Sequence, residues 1–195
     1  MPKVTPPKCL SDLRPISVTS ILSRLCERYV VKQYLLPAIR SDDVVDQFAF
    51  RPTGSTTAAL IYILYHITLL LETNDYVRCL PVDFSKAFDT VNHFILIEKL
   101  QKLDIPLIVI NWIINFLTDR KQQVVINGRR YSRLSITRSI LQGSGLGLLL
   151  FLIYILDVKP ICKINILCKY ADDLSQLCPQ HSPSDLVGEF CHIVI

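Results

Sequence analysis

The first regular pattern in the chain is that of an amphipathic helix. Over about residues 20–36, apolar side chains such as Ile21 and Leu25 recur on one side, while Glu27 and other charged residues fall on the opposite side. Pro37 is the predicted end of this helix, because proline cannot donate the backbone hydrogen bond that a helix interior requires.

Four further helices are predicted along the chain. The first runs over about 58–71 behind the caps Ser55–Thr57, the second is capped by Asn92, and the third spans Pro106–Leu117. The fourth is the apolar run LGLLLFLIYIL at residues 146–156. This run and the apolar stretch at 58–71 are both shorter than the roughly 18 residues that span a bilayer. We therefore expect buried core helices and no membrane association.

Strand patterns separate these helices. YVRCLPVDF, at residues 76–84, is apolar on both faces and predicts a deeply placed strand, although Pro81 would remove one of its ladder hydrogen bonds. Asn127 and Gly128, within a β-rich run, predict the turn of a hairpin. CKINILCKY predicts a strand that leads into an aspartate pair, with LSQLC as its return. Helices interleaved with hairpins favour an α+β fold over a doubly wound parallel sheet.

Composition narrows the classes of function. The 195 residues are 50% hydrophobic, which permits a sizeable core and excludes a disordered chain. A formal net charge of +4 is only mildly basic, so binding to nucleic acid would depend on locally clustered cations. The 7 cysteines include no Cys-x-x-Cys pair, and the start of the chain lacks the apolar core of a signal peptide. These features predict an intracellular protein with reduced thiols and no structural zinc.

The sequence KYADDL sets Asp172 and Asp173 side by side. Because like charges repel and a buried unpaired carboxylate is costly, a buried pair would need a cation, whereas a solvated turn would not. Asp83, at the end of an apolar strand, is a candidate third ligand. Carboxylates suit magnesium, and two such ions about 3.5 to 4 Å apart promote in-line displacement at phosphorus. If the acids converge, they indicate phosphoryl or nucleotidyl transfer.

Three motifs resemble, in order, the palm motifs of reverse transcriptases, particularly those of non-LTR (LINE-like) retrotransposons. They are VDFSKAFDTVNH (82–93), QGSGLG (142–147) and YADD (170–173). Two upstream stretches, LRPISVTSILSRLCERYV (13–30) and DQFAFRPTGSTTAAL (46–60), resemble finger motifs of the same family.

The resemblance implies the right-hand polymerase fold, with a small antiparallel palm sheet packed on helices. It further implies a fingers-like region at residues 1–75 and a palm at 76–195, interrupted by a fingers-like helix and hairpin at about 105–140. The family's thumb is expected to be absent from this chain.

The same resemblance implies roles for individual residues. The implied catalytic metal ligands, for two Mg²⁺ ions or Mn²⁺ in their place, are Asp83, Asp172 and Asp173. The implied nucleotide-binding residues are the steric gate Phe88, with Gln142, Gly143, Arg14 and Arg51. The residues implied to contact primer or template are Tyr170, Arg129 and Arg130. Each role has an alternative: Phe88 and Tyr170 could be ordinary core side chains, and the hairpin with Arg129 and Arg130 could be a solvated surface.

The implied activity is RNA-directed DNA polymerisation. Deoxynucleotides from dNTPs would be added to the 3′-hydroxyl of a DNA primer on an RNA template, without a stable protein partner. Leu141 and Leu148 replace prolines usual in the family, and Ser139 stands where glycine or alanine is usual. With these changes and no thumb, we expect weak or no activity from this chain alone.

Two other functions compete with polymerisation. A non-catalytic nucleic-acid-binding relic of a decayed retrotransposon would keep the basic residues without using the acids. An unrelated two-metal phosphohydrolase would use the acids, but nothing in its chemistry requires the pattern at Phe88 and Gln142.

Overall fold

The first predicted helix is α1 (Ile21–Val30), capped by Ser20, whose Oγ accepts a hydrogen bond from the Ser23 amide. The computed structural model describes residues 17–194 except 18, 52, 85, 127, 137 and 142. Helical structure continues from α1 through a π-helical turn (Val31–Leu35) into α2 (Leu36–Ala38). It ends one residue beyond Pro37, close to the predicted stop. Pro37 lies at the start of this last turn, where its missing N–H costs least.

The other predicted helices are present. They are α3 (Thr56–Leu71), α5 (His93–Gln101), α6 (Leu107–Leu117) and α7 (Gly145–Tyr154). Ser55 and Asn92 cap α3 and α5 through side-chain oxygens, as predicted. Three elements were not predicted: a 3₁₀ turn (Ser41–Val44), the short α4 (Ala87–Thr90) and α8 (Leu186–Val194). Among the described residues, no helix is long and apolar enough to cross a membrane.

Two sets of strands complete the fold. β1 (Val77–Asp83), β6 (Ile166–Tyr170) and β7 (Asp173–Pro179) form an antiparallel sheet in the order β1-β7-β6. The predicted hairpin is built from short antiparallel pairs, β2 (Lys121–Gln122) with β5 (Leu134–Ser135) and β3 (Val125–Ile126) with β4 (Arg129–Arg130). Gly128 has a φ of 78°, which a two-residue hairpin turn requires; Asn127 lies outside the described residues.

The prediction of a deeply buried β1 was wrong. β1 is an edge strand of its sheet, and Val82 is its one buried residue. Edge position also explains Pro81, since an edge strand tolerates proline where a central strand would lose a ladder hydrogen bond. The apolar residues of a strand therefore did not reveal its place in the sheet.

The described residues form two compact units. Unit 1 comprises those of 1–39 and 88–154, and unit 2 those of 40–87 and 155–195. In unit 1, α7 packs against α1 and α5, and seven of its ten residues are buried. In unit 2, α3 packs on the three-stranded sheet, and a cluster of Val82, Leu167, Leu174 and Ile193 forms a core. The sequence-based division at residue 75 concerns functional regions and stays a prediction.

The inward side of α1 differs from the predicted one. Glu27 is fully buried, whereas Ile21 and Leu25 are 73% and 55% exposed. The Glu27 carboxylate accepts hydrogen bonds from the Ser144 hydroxyl at 2.6 Å and the Ser23 hydroxyl at 2.9 Å. These hydrogen bonds offset the cost of burying the charge of Glu27. Hydrophobic periodicity carries no information about such bonds, so it predicted the wrong inward side.

A second buried carboxylate, Glu189, anchors α8 in unit 2. Its oxygens accept hydrogen bonds from two backbone amides and three side chains, belonging to Ile161, Cys162, Asn165, Gln176 and Ser184. Desolvation by burial acts to raise the pKa of Glu189, but the hydrogen bonds outweigh it and lower the pKa to about 2. The charged form therefore stabilises the folded state.

Glu189→Gln should lower the free energy of unfolding at pH 7 by about 2 to 4 kcal/mol, because five donors lose an ionised acceptor. The depressed pKa makes the contribution of Glu189 complete above its unfolded pKa of 4.5 and lost as the pH falls toward 2. Urea denaturation at pH 7 and pH 3 measures this. The variant and the parent should converge on acidification, and Glu98→Gln, at an exposed site on α5, should show no such trend.

Candidate active site

The pairing of β1 with β7 brings two of the three predicted acids together. Asp83, the last residue of β1, is the register partner of Asp173, the first residue of β7. Residues directly opposite on antiparallel strands point to the same face, with Cα atoms about 4.5 to 5.5 Å apart. Acids 90 positions apart in sequence thus meet at one end of the unit 2 sheet.

A two-residue turn holds the third acid beside them. Tyr170 pairs with Asp173, so Ala171 and Asp172 form the loop between β6 and β7. Ala171 has a φ of 57°, in the left-handed region that a tight hairpin turn demands at this position. Its amide donates to Oε1 of the buried Gln47, which also accepts from the Ala49 amide. The turn is therefore supported from outside the hairpin.

The other two acids affect the titration of Asp173. The pKa of Asp173 is raised by desolvation and by the negative charges of Asp172 and Asp83. Such repulsion fits a site for a hard cation, since carboxylate oxygens are the ligands that magnesium prefers. Within the described part of the chain, however, no three His, Cys, Asp or Glu side chains are gathered as ligands of a metal ion. Metal binding by these acids stays a prediction.

Two predicted nucleotide-binding residues belong to unit 1. Phe88 is half-buried and packs on Phe151 with ring centroids 4.4 Å apart, so it has a core contact whether or not it also serves as a steric gate. Gly143 is exposed and has a φ of 102°, which glycine adopts without strain. Gln142 lies outside the described residues.

The loop before Gly143 shows the effect of an atypical residue. Ser139, where the resemblance implies glycine or alanine, has a φ of 101°. Its amide donates to the Val91 carbonyl and its own carbonyl contacts Nε2 of His93 at 2.8 Å. The backbone is thus held in a conformation that a side chain strains, and that glycine would adopt freely.

The predicted arginines have different surroundings. The Arg51 guanidinium donates to the backbone carbonyls of Val44 and Gln47 and to the Thr53 hydroxyl, so it organises its own loop. A role for Arg51 in phosphate binding stays a prediction, and Arg14 lies outside the described residues. Arg129 and Arg130 are exposed on β4, where both can reach solvent or a ligand. Tyr170 is half-buried at the end of β6.

Sequence patterns missed several residues that position these features. Lys169 and Asp46 form an ion pair inside unit 2, and Gln47 supports the aspartate turn. In unit 1, the Ser144 hydroxyl both donates to Glu27 and accepts from the Gly147 amide at the start of α7. All four residues are polar and lie within apolar or motif-bearing stretches of the sequence. That unexpected polarity is the sequence signal that could have identified them.

Solved structures share this α+β arrangement. A telomerase from Candida tropicalis, in complex with a fragment of telomeric RNA, superposes over 88% of this chain and 30% of its own, with a TM-score of 0.60 and 16% identity. A Candida albicans telomerase, also with such a fragment, covers 89% of this chain and 31% of its own with a TM-score of 0.55 and 11% identity. The fold is that of the fingers and palm of a right-hand polymerase, as predicted.

Sequence comparison defines the family. Residues 1–191 match the family described as reverse transcriptase (RNA-dependent DNA polymerase), and this chain belongs to it. It is 30% identical over 190 residues to a probable RNA-directed DNA polymerase from transposon BS of Drosophila melanogaster, covering 88% of this chain and 20% of that protein. The polymerase of mobile element jockey, from the same species, is 26% identical, with coverages of 88% and 19%.

These relatives confirm the predicted likeness to non-LTR retrotransposon polymerases. The chain spans only about a fifth of their length. The activity, substrates and partners of a complete protein are therefore matters for proposal.

Asp83→Asn should lower the pKa of Asp173 toward its ordinary value, because the variant removes one of the negative charges that raise it. Carbon-detected NMR titration of the aspartate carboxyl groups measures the shift. Asp75→Asn is a matched control: it removes one exposed acid two residues before β1, at the end opposite to Asp83 and about 26 Å from it at strand spacing. An unchanged Asp173 pKa in Asp83→Asn would refute the proximity of these acids.

Proposed function

We propose that this chain is the fingers and palm part of an RNA-directed DNA polymerase, which transfers deoxynucleotides from dNTPs to a primer 3′-hydroxyl. The observation that carries the proposal is the register of β1 and β7, which sets Asp83 opposite Asp173 beside the Asp172 turn. Membership in the reverse transcriptase family gives this acid cluster its chemical interpretation.

In the proposed site, Asp83 and Asp172 are the main ligands of divalent magnesium or manganese, and Asp173 supports them. When bound, such ions supply a Lewis acid that lowers the pKa of the attacking hydroxyl and neutralises charge on the leaving phosphate. The protein's own part is to hold three mutually repelling carboxylates at one sheet end, which disfavours the metal-free arrangement. The family resemblance gives Phe88 the role of a steric gate against a ribose 2′-hydroxyl, and gives Gln142 and Gly143 contacts with the incoming nucleotide.

The proposed partners are an RNA template and a DNA primer. Arg129 and Arg130 project from an exposed hairpin with Tyr131, which combines phosphate-binding cations with an exposed aromatic ring. Tyr170, beside the acids, would lie near the primer terminus. Arg14 and Arg51 remain candidates for contacts with triphosphate or template, as the family resemblance implies.

Primer extension tests the catalytic proposal. If the chain has the weak activity expected of it alone, purified chain with a DNA primer on an RNA template, dNTPs and Mg²⁺ should give slow primer extension. Asp172→Asn should abolish this extension, because a metal ligand is lost. Asp75→Asn should retain the parent rate. Extension that persists in Asp172→Asn would refute the assignment of the acids.

A second candidate function is nucleic-acid binding without catalysis, and the exposed arginine hairpin favours it. If the parent chain fails to extend any primer yet binds RNA, this function replaces polymerisation for the chain. Release of inorganic phosphate from dNTPs without incorporation would instead indicate a hydrolase.

Removing the hairpin arginines should weaken RNA binding in a salt-dependent manner. For single-stranded RNA, each lost phosphate contact reduces the slope of log K against log salt by about 0.7, so Arg129→Ala/Arg130→Ala should reduce it by about 1.4. Fluorescence anisotropy over a salt series measures the slope. Lys102→Ala/Lys163→Ala removes two exposed cations elsewhere and should leave the slope close to that of the parent. Equal slopes for the two double variants would argue against hairpin contacts.

A further inference from the structure

Lys169 is a buried cation on the strand that leads into the aspartate turn. It lies on β6, three residues before Asp172, and its side chain is 1% exposed. Burying an ammonium group costs several kcal/mol unless the site supplies compensating partners. A lysine here therefore needs an explanation beyond filling space, which an apolar residue would do at lower cost.

The compensating partners of Lys169 are specific. Its Nζ lies 3.3 Å from Oδ1 of the buried Asp46 and donates to the carbonyls of Val158 at 3.1 Å and Ile155 at 3.3 Å. The other carboxylate oxygen of Asp46 accepts a hydrogen bond from Lys159 at 2.8 Å. Desolvation lowers the pKa of Lys169 to about 8, although the charge of Asp46 acts to raise it. The ammonium form thus predominates below that pH.

Backbone hydrogen bonds also join Lys169 to the segment that contains Asp46. The Lys169 amide donates to the Asp46 carbonyl at 2.7 Å, and the Phe48 amide donates to the Lys169 carbonyl at 2.8 Å. These bonds form a parallel bridge between Gln47 and Lys169 along the outer edge of β6. Gln47 then reaches past the strand and accepts from the Ala171 amide in the turn.

The segment 46–48 therefore holds the aspartate hairpin at two levels, the strand and the turn. We propose that Lys169 and Asp46 are positioning residues of the polymerase site: their buried ion pair locks segment 46–48 against β6 and so sets the placement of Asp172 and Asp173. This inference deepens the proposed function and rests on it for its catalytic consequence. Its structural consequence, the locking of the turn, is measurable without activity.

Lys169→Met tests the inference, because methionine matches the length of the lysine stem but cannot pair with Asp46. In native-state hydrogen exchange, the amides of Lys169 and Ala171 should exchange about tenfold faster or more, since both donate to segment 46–48. Affinity for Mn²⁺, measured by electron paramagnetic resonance, should fall by about 10- to 100-fold, the usual cost of losing a group that orients metal ligands. The kcat of primer extension should fall likewise, with the KM for dNTP unchanged.

Glu189→Gln is the matched control. It also removes a buried charge from unit 2, but Glu189 bonds to neither segment 46–48 nor the aspartate turn. At temperatures where both variants are fully folded, Glu189→Gln should leave both amides and the Mn²⁺ affinity near their parent values. If Lys169→Met does not fold, Asp46→Asn serves in its place, because an amide keeps the volume and the backbone bonds of Asp46 but not its charge.

The outcomes separate the two proposals. Equal effects of Lys169→Met and Glu189→Gln on exchange and Mn²⁺ affinity would overturn the positioning role, because Lys169 would then contribute only general stability. If the parent chain extends no primer but Lys169→Met still accelerates exchange of Ala171 and weakens Mn²⁺ binding, the positioning role stands and polymerisation by this chain fails.

Discussion

Repulsion among carboxylates held at one sheet end is the constraint on which the candidate site depends. Asp83 and Asp173 face each other across β1 and β7, with Asp172 in the adjoining turn. Desolvation, together with the charges of Asp172 and Asp83, raises the pKa of Asp173. The electrostatic repulsion among these carboxylates destabilises the sheet end, so other contacts in unit 2 must hold the strands in register. The core around Val82 and Leu174, residues that pair next to the acids, does so by hydrophobic burial.

Buried polar groups carry much of the remaining specificity. Glu27, Lys169 and Glu189 are each almost fully buried and each bonds to residues distant in sequence. A buried charge tolerates few arrangements of its partners, so these groups restrict how the helices and loops can pack, whereas apolar contacts accept many similar packings. In unit 2 this restriction reaches the aspartate turn through segment 46–48.

Sequence reasoning succeeded where a local pattern has one structural solution. Caps at Ser55 and Asn92, the turn before Arg129 and the β6–β7 hairpin were all recognised from short stretches. It failed where the answer depended on a neighbour. The edge placement of β1 and the inward packing of Glu27 each depend on contacts or hydrogen bonds that periodicity does not encode.

The candidate site divides along the same line. The sequence alone determined the family, because its motifs occur in a fixed order, and it selected the acids as residues whose charge would be costly in apolar strands. Only the tertiary structure decided that Asp83 lies opposite Asp173, and that Lys169 is a paired, buried cation. Strand register and ion pairing join residues 90 and 123 positions apart, and no local sequence signal can report a contact that the folded chain alone brings into existence.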